Sequence, residues 1–283
     1  MEVTLAPIQQ VLAQVAEQGD RLRAASTTWR QKTDGTWASQ IEQQVEEDLT
    51  AFFTALYPGC QVVGEENSPE AELQPGVVNV VLDPCDGSAP YRRGLGTWGV
   101  SCALLGPDLE PLLGVLYYPA LARWFVAAQV EGVLKPYQVT PAGDLREQPP
   151  AGQAASRPAL AENLRDEYLW VNSDPHRVLD LTRLPCKIRS FGTTSLHLAL
   201  LTDNEGDPVA TALHRFKLWD VVAALVICTA HGLALADLRP RSGPPLSDLP
   251  SLLRRPRQDV DNHPLLVAYP EILALLREQI ALN

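Results

Sequence analysis

The stretch that decides the fold reads Val80-Val81-Leu82-Asp83-Pro84-Cys85-Asp86-Gly87-Ser88. An uncharged apolar run over Val77–Leu82 predicts a buried strand, and it ends in two carboxylates, Asp83 and Asp86. Pro84 restricts its own φ and lacks a backbone donor, so we expect the chain to turn where the strand ends. Both carboxylates and the Cys85 carbonyl oxygen can then face one point, which favours a site for a hard cation.

Two interpretations of this stretch stay open at this point. A strand that ends in an Asp-Pro turn, with an aspartate capping the turn, needs no ligand. Alternatively, the backbone N–H groups of Gly87 and Ser88, with the Ser88 hydroxyl, can bind an anion at the start of a following helix. A motif this short does not decide between the two.

Composition and charge exclude several classes of partner. The 283 residues carry a net charge of −11, which argues against binding a nucleic acid polymer. No uninterrupted apolar run reaches about 18 residues, so we expect no membrane span. The N-terminal residues 1–20 lack the basic and apolar regions of a signal peptide. The five cysteines have no CxxC spacing, which predicts reduced thiols in a cytoplasmic protein.

The first half of the chain predicts helices followed by neighbouring strands. Apolar residues at helical spacing predict helices over residues 5–26 and 41–56, and Ser39 with Glu42 forms a capping-box pattern before the second. Asp34-Gly35 is a turn signal between these helices. Strands are expected at 61–64, 77–82, 100–105, 112–118 and 124–128, and such a run favours an antiparallel sheet.

The second half alternates strands with helices, as in α/β proteins. Residues 141–158 are rich in Pro, Ala, Gly and Gln, so we expect a linker there between a domain at 1–150 and one at 151–283. Helices are predicted at 175–181, 193–202, 218–227 and 270–282. Strands are predicted at 168–172, 187–189, 209–213, 233–236 and 265–268.

Four acidic residues adjoin apolar elements: Glu65, Asp83, Asp86 and Asp220. Taken alone, Asp220 is typical of a helix cap and Glu65 of a solvated strand end. Brought together, these carboxylates would repel one another strongly unless cations neutralised them. Such a ligand set suits Mg²⁺, which keeps some of its waters and binds substrate phosphate.

Three motifs, in order, resemble those of the inositol monophosphatase-like family, a superfamily of metal-dependent, lithium-sensitive phosphatases that includes fructose-1,6-bisphosphatase and 3′-phosphoadenosine phosphatase. They are Gly64-Glu65-Glu66, Asp83-Pro84-Cys85-Asp86-Gly87-Ser88 and Trp219-Asp220-Val221-Val222-Ala223-Ala224. Weaker similarity is found at 100–104, 114–119 and 190–195. The resemblance implies a mixed fold of the α+β / α/β class, in which the helices and sheets form a five-layered αβαβα sandwich. It also implies two or three Mg²⁺ ions and a homodimer.

The resemblance further implies a role for each matching residue. The implied metal ligands are Glu65, Asp83, Asp86, Asp220 and the carbonyl oxygen of Cys85. The implied catalytic residues, which orient and activate the attacking water, are Glu65, Ser88, Glu42 and Ser39. The implied substrate-binding residues are Gly87, Ser88, Gly192, Thr193 and Asp220. On this basis the sequence predicts a Mg²⁺-dependent phosphomonoesterase that hydrolyses a small phosphorylated metabolite.

Several positions depart from the family pattern. Glu42 stands where Asp is usual, and Ala89–Arg93 replaces a segment that commonly begins with Asn-Phe. Leu213 stands where the family's inositol phosphatases carry an acid that binds substrate hydroxyls, which argues against inositol monophosphate as the preferred substrate. A sugar bisphosphate, histidinol phosphate or a 3′-phosphonucleotide remains an alternative substrate. A second alternative is a degenerate member that acts as a non-catalytic binding or regulatory protein. His197 and His231 are expected to be structural.

Overall fold

The computed structural model describes residues 5–31, 37–150, 164–172, 175–203, 208–238, 248–256, 260 and 264–282. The helices are α1 (Leu5–Ala24), α2 (Gln40–Leu56), α3 (Ser88–Arg92), α4 (Thr194–Ala199), α5 (Leu218–Ala230), α6 (Leu249–Leu253) and α7 (Pro270–Gln279). The first eight strands are β1 (Trp29–Gln31), β2 (Trp37–Ser39), β3 (Gln61–Gly64), β4 (Asn79–Asp86), β5 (Gly99–Leu105), β6 (Pro111–Tyr118), β7 (Arg123–Val130) and β8 (Val133–Val139). The remaining strands are β9 (Leu145–Glu147), β10 (Tyr168–Val171), β11 (Leu179–Asp180), β12 (Lys187–Arg189), β13 (Pro208–Leu213), β14 (Ala234–Asp237), β15 (Leu265–Ala268) and β16 (Ala281–Leu282).

The first half forms a seven-stranded sheet in the order β3-β4-β5-β6-β7-β8-β9. Only the β3–β4 pair is parallel, and every other pair is antiparallel. Successive residues of β4 face opposite sides, because side chains alternate along a strand. Val80 and Leu82 therefore pack with α1 and α2, whereas Val81 packs with α5.

The second half forms a five-stranded sheet in the order β12-β10-β13-β15-β14. Strand β10 pairs in parallel with β12 and β13, and β15 pairs antiparallel with β13 and β14. This sheet confirms the predicted α/β character of residues beyond the linker.

The elements stack as five layers in the order αβαβα, as predicted. Helices α1 and α2 cover one face of the seven-stranded sheet. Helices α4 and α5 lie between the two sheets in a single core that contains Leu213, Leu265 and Val267 of the second sheet. Helix α7 covers the far face through Ile272 and Leu276. Among the described residues, no helix combines the length and apolar character that crossing a bilayer requires.

Helix α5 can lie between two sheets because almost every one of its residues is apolar and buried. It approaches the first sheet closely at Gly114 of β6. A Cβ atom on Gly114 would lie 2.6 Å from the Ala223 carbonyl oxygen and 2.9 Å from Val226 Cβ. The glycine is therefore needed for room, and the close approach fixes the helix that carries Asp220.

Several predictions of local structure were wrong. Strand β4 does not end at Leu82 but runs through Pro84 to Asp86, because its pairing with β5 resumes at Asp86 after an irregularity that accommodates Pro84. The predicted helix at 175–181 is a short 3₁₀ turn, Pro175–Arg177, followed by β11, whose backbone pairs with β16.

Other differences concern the linker and the ends of elements. Strand β9 lies within the predicted linker and extends the first sheet. Residues 151–163 lie outside the described residues, so the division into two domains near residue 150 stays a prediction. The last helix ends at Gln279 rather than 282. The predicted turn at Asp34-Gly35 also lies outside the described residues.

Candidate metal centre

Three aspartates from two elements converge between the sheets. Asp83 and Asp86 belong to β4, and Asp220 lies in the first turn of α5. One carboxylate oxygen of each residue lies within 4.8 Å of the other two. The first two are close because the irregularity in β4 compresses the residues on either side of Pro84. The third is delivered by the packing of α5 on the sheet.

Backbone N–H groups hold each aspartate in place. Asp83 Oδ1 accepts from Cys85 N at 2.8 Å. Asp86 Oδ2 accepts from Ser195 N at 2.6 Å, and its other oxygen accepts from Thr194 N at 3.4 Å. Asp220 accepts from Lys217 N at 2.9 Å through Oδ2. Such supports fix the direction of a ligand's lone pairs, as the outer shell of a metal site does.

Burial and mutual repulsion disfavour the charged forms of all three aspartates. Burial, followed by the charges of neighbouring carboxylates, raises the pKa of Asp83 and of Asp220 well above the usual value for Asp. Burial also raises the pKa of Asp86 to about 6, although the hydrogen bonds from Ser195 and Thr194 oppose this shift. A cluster of oxygen ligands that is electrostatically unfavourable by itself fits a hard divalent cation, which would neutralise it.

Glu65 approaches this cluster from the end of β3. Its side chain is half-buried, and its charge raises the pKa of Asp83, Asp86 and Asp220. Its carboxylate lies outside the closest group of three. The carbonyl oxygen of Cys85, a predicted ligand, accepts a hydrogen bond from Ser88 Oγ at 3.2 Å.

A fifth carboxylate, Glu42, lies beside Glu65 and Ser88. Ser39 and Glu42 form the predicted capping box of α2, in which the Ser39 N–H donates to Glu42 Oε2 and the Glu42 N–H donates to Ser39 Oγ at 3.3 Å. Burial is the main cause of the raised pKa of Glu42, with a further contribution from the charge of Glu65. Oε1 of Glu42 is buried and makes no hydrogen bond of ordinary geometry to a described residue, although the Ser88 hydroxyl and the Cys85 thiol adjoin this carboxylate.

The predicted substrate-binding residues of the two halves are neighbours. Gly87 has φ 97°, and a Cβ atom there would lie 2.5 Å from Thr193 Oγ1. The Thr193 hydroxyl in turn donates to the Thr97 carbonyl oxygen. Gly192, with φ 79°, lies against Pro90, where an added Cβ would meet Cγ at 3.3 Å. Only glycine fits both left-handed positions without strain.

Two further residues, His197 and Leu213, have surroundings that explain their chemistry. His197 is buried, its Nε2 accepts from Phe191 N at 2.7 Å, and burial lowers its pKa to about 4. The ring therefore supports the loop that carries Gly192 and Thr193. Leu213 is fully buried in the central core, so this position is apolar in surroundings as well as in identity.

Sequence reasoning missed several supporting residues. Ser195 and Thr194 hold Asp86, and Tyr118 OH lies 2.7 Å from Ser195 Oγ. Glu46 on α2 is fully buried although its side chain is ionisable. The one available signal was that Glu46 follows Glu42 by four residues and therefore lies on the same face of the helix.

A model of the inositol monophosphatase family matches residues 3–279. The chain belongs to this family. Within the family, the histidinol-phosphatase of Streptomyces coelicolor is 27% identical over 244 residues, which cover 83% of this chain and 86% of that protein. The 3′(2′),5′-bisphosphate nucleotidase CysQ of Aggregatibacter actinomycetemcomitans is 32% identical over 133 residues, covering 45% and 49% respectively.

Solved structures confirm the inositol monophosphatase fold. The Thermotoga maritima IMPase superposes with a TM-score of 0.70 at 15% identity, over 96% of each chain. The suhB protein of Bartonella henselae also superposes with a TM-score of 0.70, over 96% of this chain and 98% of that one, at 17% identity. The family's phosphatases act on small phosphorylated substrates and depend on metal ions, and this chain shares their fold.

Proposed function

We propose that this protein is a Mg²⁺-dependent phosphomonoesterase that hydrolyses a small phosphorylated metabolite. The observation that carries the proposal is the convergence of Asp83, Asp86 and Asp220 within 4.8 Å, in a member of a phosphatase family. Buried carboxylates at this separation repel one another when ionised, so the site is best explained as a binding site for cations.

Two or three Mg²⁺ ions are proposed as the cofactors. Their ligands would be Glu65, Asp83, Asp86, Asp220 and the Cys85 carbonyl oxygen. When bound, Mg²⁺ neutralises the carboxylates, lowers the pKa of a bound water and stabilises the negative charge of a phosphoryl group during transfer.

Glu42, Ser39, Glu65 and Ser88 are proposed to orient and activate the attacking water. Glu42 Oε1 is the open acceptor, because Oε2 is held by the Ser39 N–H. The raised pKa of Glu42 brings it nearer to neutral pH, which suits a general base. As the water oxygen bonds to phosphorus, Oε1 accepts the proton that the water loses. The ester oxygen leaves with the electron pair of the broken bond and takes up a proton from solvent to give the alcohol.

The phosphate is proposed to lie against Gly87, Ser88, Gly192 and Thr193. The absence of a side chain at both glycines lets backbone N–H groups approach a phosphate closely. Asp220, which borders this region, is proposed to contact the substrate as well as a metal ion. The protein then contributes positioning and electrostatic stabilisation, which dominate catalysis of phosphoryl transfer.

Histidinol phosphate is the first candidate substrate. The histidinol-phosphatase relative aligns over most of both chains, whereas the CysQ relative aligns over about half. The buried Leu213 offers no polar group for a polyol hydroxyl, which argues against inositol monophosphate. A sugar bisphosphate or a 3′-phosphonucleotide is the second candidate substrate. A non-catalytic binding or regulatory role is the alternative function.

The test is phosphate release from a panel of monoesters with and without Mg²⁺. The expected result is hydrolysis that requires Mg²⁺, is fastest for one small monoester and is lost in Asp83→Asn. If no ester is hydrolysed and Asp83→Asn responds to Mg²⁺ like the wild type, the proposal that this protein is an enzyme is overturned. The non-catalytic alternative is then supported.

We also propose a cytoplasmic homodimer. All five cysteines are free thiols, which suits a reducing compartment. Three large apolar residues are exposed: Leu95, Leu121 and Phe191. They lie on adjoining segments, because Thr97 Oγ1 is 3.4 Å from the Phe191 carbonyl oxygen and a Cβ on Gly96 would lie 3.0 Å from Ala120 Cβ. Light scattering during gel filtration should give the dimer mass, and Leu95→Glu with Phe191→Glu should give the monomer.

A further inference from the structure

Helix α2 carries two fully buried carboxylates one turn apart, Glu42 and Glu46. Both point to the same side of the helix, because residues four apart lie on one face. Glu42 faces the proposed reaction centre. Glu46 lies under the segment that leaves β3, which carries Glu65.

The carboxylate of Glu46 binds two consecutive backbone N–H groups of that segment. Oε2 accepts from Glu66 N at 2.8 Å, and Oε1 accepts from Asn67 N at 2.8 Å. The Asn67 side chain adds a second tie to α2 through Nδ2, which donates to the Gln43 carbonyl oxygen at 3.1 Å. Both oxygens of Glu46 therefore act as acceptors for the turn that follows Glu65.

Gly64 leaves the room that this carboxylate occupies. A Cβ atom on Gly64 would lie 2.3 Å from Glu46 Oε1 and 2.5 Å from its Cδ. The φ of Gly64 is not in the left-handed region, so an alanine backbone is allowed there. The requirement for glycine at 64 is therefore set by contact with Glu46 and not by backbone conformation.

We propose that Glu46 is a positioning residue that fixes the Glu65 carboxylate relative to Glu42 and the metal centre. The proposal rests on the proposed function. Glu42 and Glu46 share one rigid helix, and Glu65 immediately precedes the two N–H groups that Glu46 binds. The helix thus sets the distance between the group that takes the proton from water and a ligand of the metal.

The chemistry of the support distinguishes glutamate from glutamine. Two N–H donors need two acceptor oxygens, and an ionised carboxylate supplies both. A glutamine amide has one oxygen and one NH₂, so the NH₂ would face an N–H. Glu46→Gln therefore keeps the volume of the side chain and loses one of the two hydrogen bonds.

The test compares Glu46→Gln with Glu47→Gln, an exposed position on the same helix. We expect the Mg²⁺ concentration for half-maximal activity to rise about 10-fold to 100-fold in Glu46→Gln, as for other residues that support metal ligands. Glu47→Gln should match the wild type. Gly64→Ala, which displaces the same carboxylate, should change the Mg²⁺ requirement in the same direction.

Two further measurements separate positioning from a general loss of folding. Calorimetric titration with Mn²⁺ should give a weaker affinity for Glu46→Gln without any substrate present. Hydrogen exchange of metal-free protein should show faster exchange in peptides covering residues 61–70, with other peptides unchanged. A purely structural role predicts less folded protein but an unchanged Mg²⁺ requirement and Mn²⁺ affinity.

The outcomes for this inference and for the proposed function are distinguishable. If the wild type is active and Glu46→Gln has a Mg²⁺ requirement and Mn²⁺ affinity within twofold of it, the role of Glu46 is overturned and the phosphatase stands. If the wild type hydrolyses nothing but binds Mn²⁺, the phosphatase is overturned, and the affinity of Glu46→Gln still decides the role of Glu46. A wild type that neither hydrolyses nor binds metal overturns both.

Discussion

Asp86 Oδ2 accepts a hydrogen bond from the backbone N–H of Ser195 at 2.6 Å, although the two residues belong to different halves of the chain. Asp86 ends β4 of the first sheet, and Ser195 lies in the first turn of α4, in the second half. Tyr118 of the first sheet reaches the same serine, with 2.7 Å between the two hydroxyl oxygens. The candidate metal centre is therefore held by contacts across the central helical layer, and changes in that layer should alter the centre.

Asp83→Asn should abolish the response of the protein to Mg²⁺. The asparagine keeps an oxygen for the Cys85 N–H but removes a charge from the centre of the cluster. We expect phosphate release to fall on the order of 100-fold or more. Differential scanning fluorimetry should show a Mg²⁺-dependent rise in Tm for the wild type, since a ligand at 100 times its Kd stabilises by about 2.7 kcal/mol. Equal rises for wild type and variant would contradict this prediction.

The metal-free protein should lose stability as the pH rises from 5 to 8. Burial raises the folded-state pKa of Asp86 to about 6, from a usual value of 3.8, so its contribution is present at low pH and is lost as the pH rises through 6. The raised pKa values of Asp83 and Asp220 act in the same direction.

The matched comparison for this pH dependence is the same titration in saturating Mg²⁺. Bound cations should remove most of the loss in Tm between pH 5 and pH 8, because they replace the protons that the carboxylates release. His197, whose pKa is lowered to about 4, acts in the opposite direction by losing its contribution as the pH falls below 6.5. A metal-free Tm that increases steadily from pH 5 to pH 8 would show that the carboxylates do not dominate.

Glu42→Gln should reduce kcat and leave the fold almost intact. The amide oxygen can still accept from the Ser39 N–H, so the capping box survives. The amide NH₂ that would replace Oε1 cannot accept a proton. We expect kcat to fall about 100-fold, which is the lower end of the rate contribution of a general base, with little change in KM.

Ser39→Ala is the comparison variant for the capping of α2, and it is not neutral for activity because Ser39 is also proposed to help orient the water. It removes the hydroxyl that caps α2 and should cost about 1 kcal/mol in the free energy of unfolding. Urea denaturation of both variants measures the loss of the cap, and steady-state kinetics measures the loss of activity. A Glu42→Gln variant with full kcat would remove Glu42 from the mechanism.

Gly114→Ala should destabilise the protein and weaken the metal centre together. The added methyl group would lie 2.6 Å from the Ala223 carbonyl oxygen, which belongs to helix backbone and cannot rotate away. Overpacking of this kind costs about 1–3 kcal/mol. Because α5 carries Asp220, we also expect a higher Mg²⁺ requirement, measured as the half-saturating concentration for activity. Unchanged unfolding and an unchanged Mg²⁺ requirement would show that the helix tolerates the shift.

Much of the fold was predictable because its signals are local. The apolar run before Asp83, the neighbouring strands after it and the apolar helix that begins near Asp220 all exist in the structure. The failures occurred where distant pairing overrode local preference. Residues predicted as a helix at 175–181 instead contain β11, because Leu179 and Asp180 pair with Leu282 and Ala281 near the other end of the chain.

The sequence by itself predicted Asp83, Asp86 and Asp220, the three acids that the structure brings together, because apolar strands and helices that end or begin in carboxylates leave a visible pattern. Only the tertiary structure decided how those acids are held. The hydrogen bonds that Ser195 N donates to Asp86, and that Glu66 N and Asn67 N donate to Glu46, join residues far apart in the chain. Such contacts depend on how sheets and helices pack, and packing at a distance leaves no periodic signal in the sequence.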